Sequence, residues 1–151
     1  MSSIGQMEIS GINIMMKAGT YYVGDLCYVM KDRWDEFCKI TIVENDCLEG
    51  EFQLLDGIKF ASYSTRHGDG LYRDKEGRQY PVDAGLIGCI RVEDISLPFW
   101  QENRGDVSCG NVIEFPHDFS TESFQGRMHF GHVYIDTAEE FYEEEEEDFD
   151  Y

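Results

Sequence analysis

Apolar positions in this chain fall mostly in short runs punctuated by glycine and aspartate, the pattern of a β-rich protein. Apolar and β-branched runs at 12–17, 20–23 and 26–30 are separated by Ala18-Gly19 and Gly24-Asp25, which predicts successive short strands or one kinked strand. The period changes at 31–41. There Trp34, Phe37 and Cys38 fall at i, i+3 and i+4, with Asp32 placed to cap and Asp35 and Glu36 in the first turn. These are the marks of a short helix that buries Trp34.

Runs at 51–55 and 58–64 flank Asp56-Gly57, predicting a hairpin with a two-residue type I′ turn. A second hairpin is expected from 71–73 and 78–82, where 74–77 suits a type I turn followed by a left-handed Gly77; Pro81 then belongs at an edge or strand end. Residues 86–92 read as a buried strand, 93–106 as a polar connection with one helical turn, and 111–115 as a further strand. A last hairpin is expected from 119–124 and 127–135 about Gln125-Gly126, with Gly131 marking a bulge. The fold class that follows is mainly β, a single-domain sandwich or partly closed barrel of about seven to ten short strands with one short helix. Residues 1–10 read as a loose lead-in, 11–137 as the β-rich domain, and 138–151 as a disordered acidic C-terminal tail.

Charge changes the functional picture more than the fold. The chain carries 31 acids against 12 bases, a formal −19. Residues 138–151 hold nine of those acids and no base, so the remainder is still acidic, with 22 acids against 12 bases. Such a surface repels nucleic acid and anionic membrane and attracts basic proteins. The five cysteines are too scattered for a metal knuckle and odd in number for a closed disulfide set. With no basic, apolar leader and no apolar run long enough to span a bilayer, they point to reduced thiols and a cytoplasmic protein.

Candidate chemistry concentrates at 62–90. Thr65, His67, Asp69 and Asp74, with Asp25 and Asp83 as possible neighbours, combine a general base with oxygen ligands. Their spacing does not match an EF-hand loop, and turn capping accounts for most of these aspartates. His67 and Asp69 remain as the candidate catalytic pair. His129-x-x-His132, with His117 upstream, would point to opposite faces of a strand and chelate poorly unless Gly131 distorts it, so no metal site and no cofactor is assigned. Cys27 reads as a packed thiol rather than a nucleophile. Neither a phosphate-binding glycine loop nor a nucleophile elbow is present. The tail sets Phe141, Tyr142, Phe149 and Tyr151 among acids, a partner-binding segment with aromatic anchors and charge for a basic groove.

The stretches AGTYYVGDLCYVM (18–30), YSTRHGDGLYRDKEGRQYPVDAGLIG (63–88) and GNVIEFPHDFSTESFQGRMHFGHVYIDT (110–137) resemble small uncharacterised proteins of bacteria and their phages, a family that often has proline where Leu26 stands. The resemblance implies one compact domain of cytoplasmic or phage origin and carries no activity. The expected function is therefore a non-enzymatic acidic interaction protein of phage or mobile-element type. It would bind and modulate a cytoplasmic host protein with a basic surface, in its most concrete form by mimicking DNA charge against a nucleic-acid-binding or defence protein. The alternatives are a metal-assisted or His-based hydrolase centred on His67 and Asp69, and a small-ligand-binding β domain. Neither direct nucleic-acid nor membrane binding is expected, and the oligomeric state stays open.

Overall fold

A computed structural model describes residues 16–103 and 109–138. Its centre is a five-stranded antiparallel sheet of β1 (Gly19–Gly24), β4 (Gly50–Gln53), β5 (Lys59–Ser64), β8 (Leu86–Arg91) and β9 (Gly110–Phe115), in the order β9-β1-β8-β5-β4. Three smaller ladders accompany it: β2 (Ile42–Val43) with β3 (Asp46–Cys47), β6 (Gly70–Arg73) with β7 (Gln79–Val82), and a three-stranded sheet of β10 (Thr121–Phe124), β11 (Arg127–Phe130) and β12 (Val133–Asp136). The mainly β expectation holds. Among the described residues no sheet closes on itself.

Alternation along the strands explains the layering. Tyr21, Val23, Ala61, Tyr63, Ile87 and Cys89 face one side and pack with Tyr72 and Tyr80 of the β6–β7 hairpin and Met128, Phe130, Val133 and Ile135 of the three-stranded sheet. Tyr22, Phe60 and Ile90 face the other side, where Leu26, Met30, Phe37 and Trp100 cover them. The central sheet is thus buried on both faces, by strands on one and by helical segments on the other.

Two turns form as their local sequence predicts. Gln125 and Gly126, at φ 53° and 87°, make the two-residue turn between β10 and β11. In the β6–β7 hairpin Gly77 is left-handed at φ 88° and its N–H bonds to the Asp74 carbonyl.

Other expectations are corrected. The hairpin at Asp56-Gly57 uses a three-residue loop rather than a two-residue turn: Leu54 N–H donates to Ile58 O at 2.8 Å and Gly57 N–H to Leu54 O at 2.9 Å. This register sets Phe52 opposite Phe60, with ring centroids 5.5 Å apart, and buries Leu54 while leaving Leu55 94% exposed. The two-residue turn would instead oppose Phe60 to Gln53, and one slipped residue reverses every side chain.

Residues 26–30 are not a strand. Leu26–Tyr28 form a 3₁₀ turn capped by Asp25, whose carboxylate accepts from Cys27 N–H.

The helix α1 (Trp34–Thr41) is entered through a 3₁₀ turn at Lys31–Arg33 and has no side-chain N-cap. Asp32 does not cap it, because its carboxylate accepts the Ser96 hydroxyl. Phe37 and Thr41 are the residues that α1 buries. Trp34 is only half-buried and stacks on Phe37 with centroids 4.4 Å apart. The connection after β8 holds a 3₁₀ turn (Val92–Asp94) and α2 (Pro98–Asn103).

Gly131 is no bulge. It opens the turn of a second hairpin at φ 58°, where Phe130 pairs with Val133 and Met128 with Ile135. All four of those side chains therefore point into one core rather than to opposite faces.

Candidate functional site

The 65–69 loop that carries His67 and Asp69 is built by hydrogen bonds to its backbone. Thr65 Oγ1 and Tyr72 Oη both donate to the Gly68 carbonyl, at 2.7 and 2.8 Å, and Thr65 N–H reaches Gly85 O at 3.0 Å. Gly68, at φ 74°, lets the chain reverse between them. His67 and Asp69 are both exposed on this loop. The His67 imidazole lies 3.0 Å through Nε2 from Ala138 O, whereas Asp69 lies on the Gly85 side, its Oδ1 at 4.0 Å from where a Gly85 Cβ would sit. The loop therefore directs the two toward different neighbours.

The neighbouring aspartates are committed to structure. Asp25 is fully buried, and its Oδ2 accepts Asp83 N–H at 2.7 Å and Ala84 N–H at 2.6 Å while its Oδ1 accepts Cys27 N–H at 2.9 Å. Tyr28 Oη donates to Asp83, so Asp25 and Asp83 do converge, as a clamp between two loops. Asp74 has the same character in the β6–β7 turn. Its Oδ1 accepts Glu76 and Arg78 N–H, and its Oδ2 accepts Arg78 Nη1 at 2.7 Å and Tyr80 Oη at 2.6 Å. Burial alone would raise this carboxyl's pKa, but the Tyr80 and Arg78 hydrogen bonds outweigh it and hold the group below its ordinary range.

Cys27 does not have the setting of a nucleophile. Burial first, then the hydrogen bond and charge of Asp25, push its thiol up to about 12, so it stays protonated near neutral pH. Burial likewise raises the Cys38, Cys89 and Cys109 thiols. Among the described residues no three His, Cys, Asp or Glu side chains converge as a metal site. Phe141, Tyr142, Phe149 and Tyr151 lie outside the described residues.

Two surface features emerge that the sequence did not single out. The β2–β3 hairpin projects directly from the end of α1, tied back by Leu48 N–H to Thr41 O at 2.7 Å. It exposes Glu44 and Asp46 beside Ile42, Val43 and Leu48, which are 42–48% exposed. Its two-residue turn holds Glu44 and Asn45 at φ 54° and 71°, a conformation that costs a non-glycine residue roughly 1–2 kcal/mol.

The second feature is the outer face of the β10–β11–β12 sheet. With Met128, Phe130, Val133 and Ile135 turned inward, Phe124, Arg127, His129 and Tyr134 face outward around a concavity of about 720 Å³ that Lys75 and His132 also line. His129 and His132 thus share this face because the chain turns between them. His129 packs on Tyr134, with centroids 4.6 Å apart. Neither feature has a contiguous motif. The face in particular joins residues 75 and 122–134, which become neighbours only when Lys75 N–H bonds to Tyr134 O.

No protein-family model matches the chain, and neither the curated proteins nor the solved structures contain a match to it. No described helix is long and apolar enough to cross a membrane.

Proposed function

We propose that this protein is a non-enzymatic interaction protein that engages a basic surface of another protein through its acidic, partly apolar β2–β3 hairpin. The observation that carries this reading is the hairpin itself. The hairpin, residues 42–47, carries two acids, Glu44 and Asp46, and no base, and Glu44 occupies a left-handed turn position that glycine or asparagine would hold with less strain. Exposed aliphatic side chains beside those carboxylates supply area to desolvate, and the charge speeds encounter with a cationic partner. Segment 138–151, with nine acids and four aromatics, adds a second element of the same chemistry. Mimicry of nucleic-acid charge toward a nucleic-acid-binding or defence protein is the concrete form of this proposal.

The hydrolase alternative has less behind it. His67 reaches Ala138 O and Asp69 lies beside Gly85, while the buried Asp25 carboxylate is taken up by three backbone N–H groups.

Affinity capture from cytoplasmic extract of the source cell, at about 50 mM and about 500 mM salt, tests the proposal because screening weakens exposed charge pairs. A partner should be retained by wild type at low salt and lost by the Glu44→Gln, Asp46→Asn double variant. A partner held equally by both, or none that responds to salt, would remove the reading.

A further inference from the structure

Strands β4 and β10, each the outermost of its own sheet, are in contact, yet no ladder joins them. Side chains make the tie instead. Thr121 Oγ1 donates to Glu51 Oε2 at 2.8 Å, and the Tyr63 hydroxyl lies 2.7 Å from the same Thr121 oxygen. Three strands thus supply one hydrogen-bonded chain, with Tyr63 from β5, Thr121 from β10 and Glu51 from β4. Register places the carboxylate there. Glu51 pairs with Ala61, which packs in the core shared with the last sheet, so Glu51 is turned to that side and half-buried.

A carboxylate set between two layers loses water, which disfavours its charged form. The Thr121 hydroxyl and N–H and the charge of Lys59 on β5 oppose this, but burial outweighs them and holds Glu51 above its ordinary 4.5. Tyr63 on β5 and Cys89 on β8 are the other titratable groups that feel its charge, and Glu49 acts on it through Tyr63. Burial pushes the Tyr63 hydroxyl up to about 12 and raises the Cys89 thiol, so both stay protonated where Glu51 titrates. An ionised carboxylate only accepts, so Thr121 then donates to Glu51 and Tyr63 donates to Thr121. Thr121 and Ser123 pair with the core residues Phe130 and Met128 and so lie on one side of β10. Ser123 Oγ is buried there with no hydrogen-bond partner among the described residues, a further cost of keeping the strand seated.

We propose that Glu51 is a proton-sensitive tie between the two sheets: protonated, it lets β10 seat fully on β4, and ionised, it biases the two strands apart. Parting returns the carboxylate to water, so the seated state holds the proton more tightly than the parted one. The stability that Glu51 gives the seam is therefore fully present below about pH 4.5 and is lost as pH rises through the seated value. In acid the seam is closed. At neutral pH it opens more readily, and parting leaves the outer edges of β4 and β10 free to accept an added strand.

Hydrogen exchange of the full chain, corrected for intrinsic rates and mapped to peptides, reads the seam between about pH 4.5 and about pH 7.5. Protection of 50–53 and 121–124 should fall as pH rises, by up to about tenfold for each pH unit by which the seam raises Glu51. In Glu51→Gln, neutral throughout, that dependence should disappear. Carboxyl carbon-13 NMR of the wild type supplies a second readout that needs no variant to fold, since Glu51 should titrate above 4.5. The midpoint should rise further in Thr121→Val, which removes the hydroxyl that favours the charge. A Glu51 midpoint at or below 4.5, an unmoved midpoint in Thr121→Val, or the same pH dependence of exchange in Glu51→Gln as in wild type would each overturn the proposal.

Discussion

Inside the smaller β layer the Tyr80 hydroxyl donates to the Asp74 carboxylate at 2.6 Å, while Arg78 meets the same oxygen from the solvent side at 2.7 Å. One buried carboxylate therefore closes the 74–77 turn and anchors a core tyrosine. Asp74→Ala should lower stability by about 3 kcal/mol, since each buried group left without a partner costs roughly 1–3 kcal/mol and the half-exposed Arg78 adds little. The check is a shift in the urea midpoint at unchanged m value.

The same group sets an acid dependence. Because the folded Asp74 pKa lies below its ordinary 3.8, its contribution is fully present above the unfolded value and is lost as pH falls through the folded one. Wild type should therefore lose stability below about pH 4 more steeply than Asp74→Asn, as equilibrium unfolding across that range would show. Equal slopes would contradict the assignment.

Gly88 sits at the middle of the central strand β8, where an added Cβ would lie 2.1 Å from Ala61 O and 2.8 Å from Leu26 Cδ1. Backbone cannot yield as a flexible side chain does. Gly88→Ala should exceed the roughly 1–3 kcal/mol usual for an overpacked core, visible as a large fall in thermal midpoint or as insoluble expression. A midpoint within a few degrees of wild type would show that β5 and β8 separate more easily than their pairing implies.

On the helical side, Phe37 is 2% exposed and touches both Trp34 and Phe60. Phe37→Ala should cost about 3–5 kcal/mol. Trp34→Ala should cost only roughly 1–2 kcal/mol, because its ring is partly in water and loses mainly the stacked contact. Chemical denaturation of the two variants side by side decides the order.

Thiol reactivity should follow burial. Cys47 is exposed, Cys27 is held protonated with a pKa of about 12, and Cys89 is fully buried. Iodoacetamide at pH 8 should label Cys47 first and Cys89 only on unfolding, as peptide mass mapping would report. Early labelling of Cys27 would reopen a nucleophilic role for it.

What the sequence made legible was local. Asp74 and Gly77 specify their turn within four positions, and Gln125-Gly126 specify theirs within two, so backbone preference alone sufficed. Asp56-Gly57 carries an equally strong turn signal, yet the register there is decided by Phe52 meeting Phe60 and by burial of Leu54, which no window around the turn contains. Gly131 misled for a related reason. A glycine between two β runs fits a bulge or a turn equally, and only the pairing of Phe130 with Val133 selects the turn. As for the candidate site, adjacency in sequence set His67 beside Asp69, and in the fold Thr65 and Tyr72 grip the Gly68 carbonyl between them while His67 meets Ala138 O and Asp69 lies near Gly85. The outward face of the last sheet was invisible because Lys75 reaches it through a hydrogen bond spanning 75 to 134.

The order β9-β1-β8-β5-β4 also has a consequence for synthesis on the ribosome. β1, the first of the described strands, lies between β8 and β9, so its sheet neighbours at 86–91 and 110–115 are made far later. Closing such long loops is slow. Tyr21 and Tyr22 of β1 therefore wait for both of their described partner strands through most of translation, and an early pause or truncation would leave those pairing edges open to aggregation.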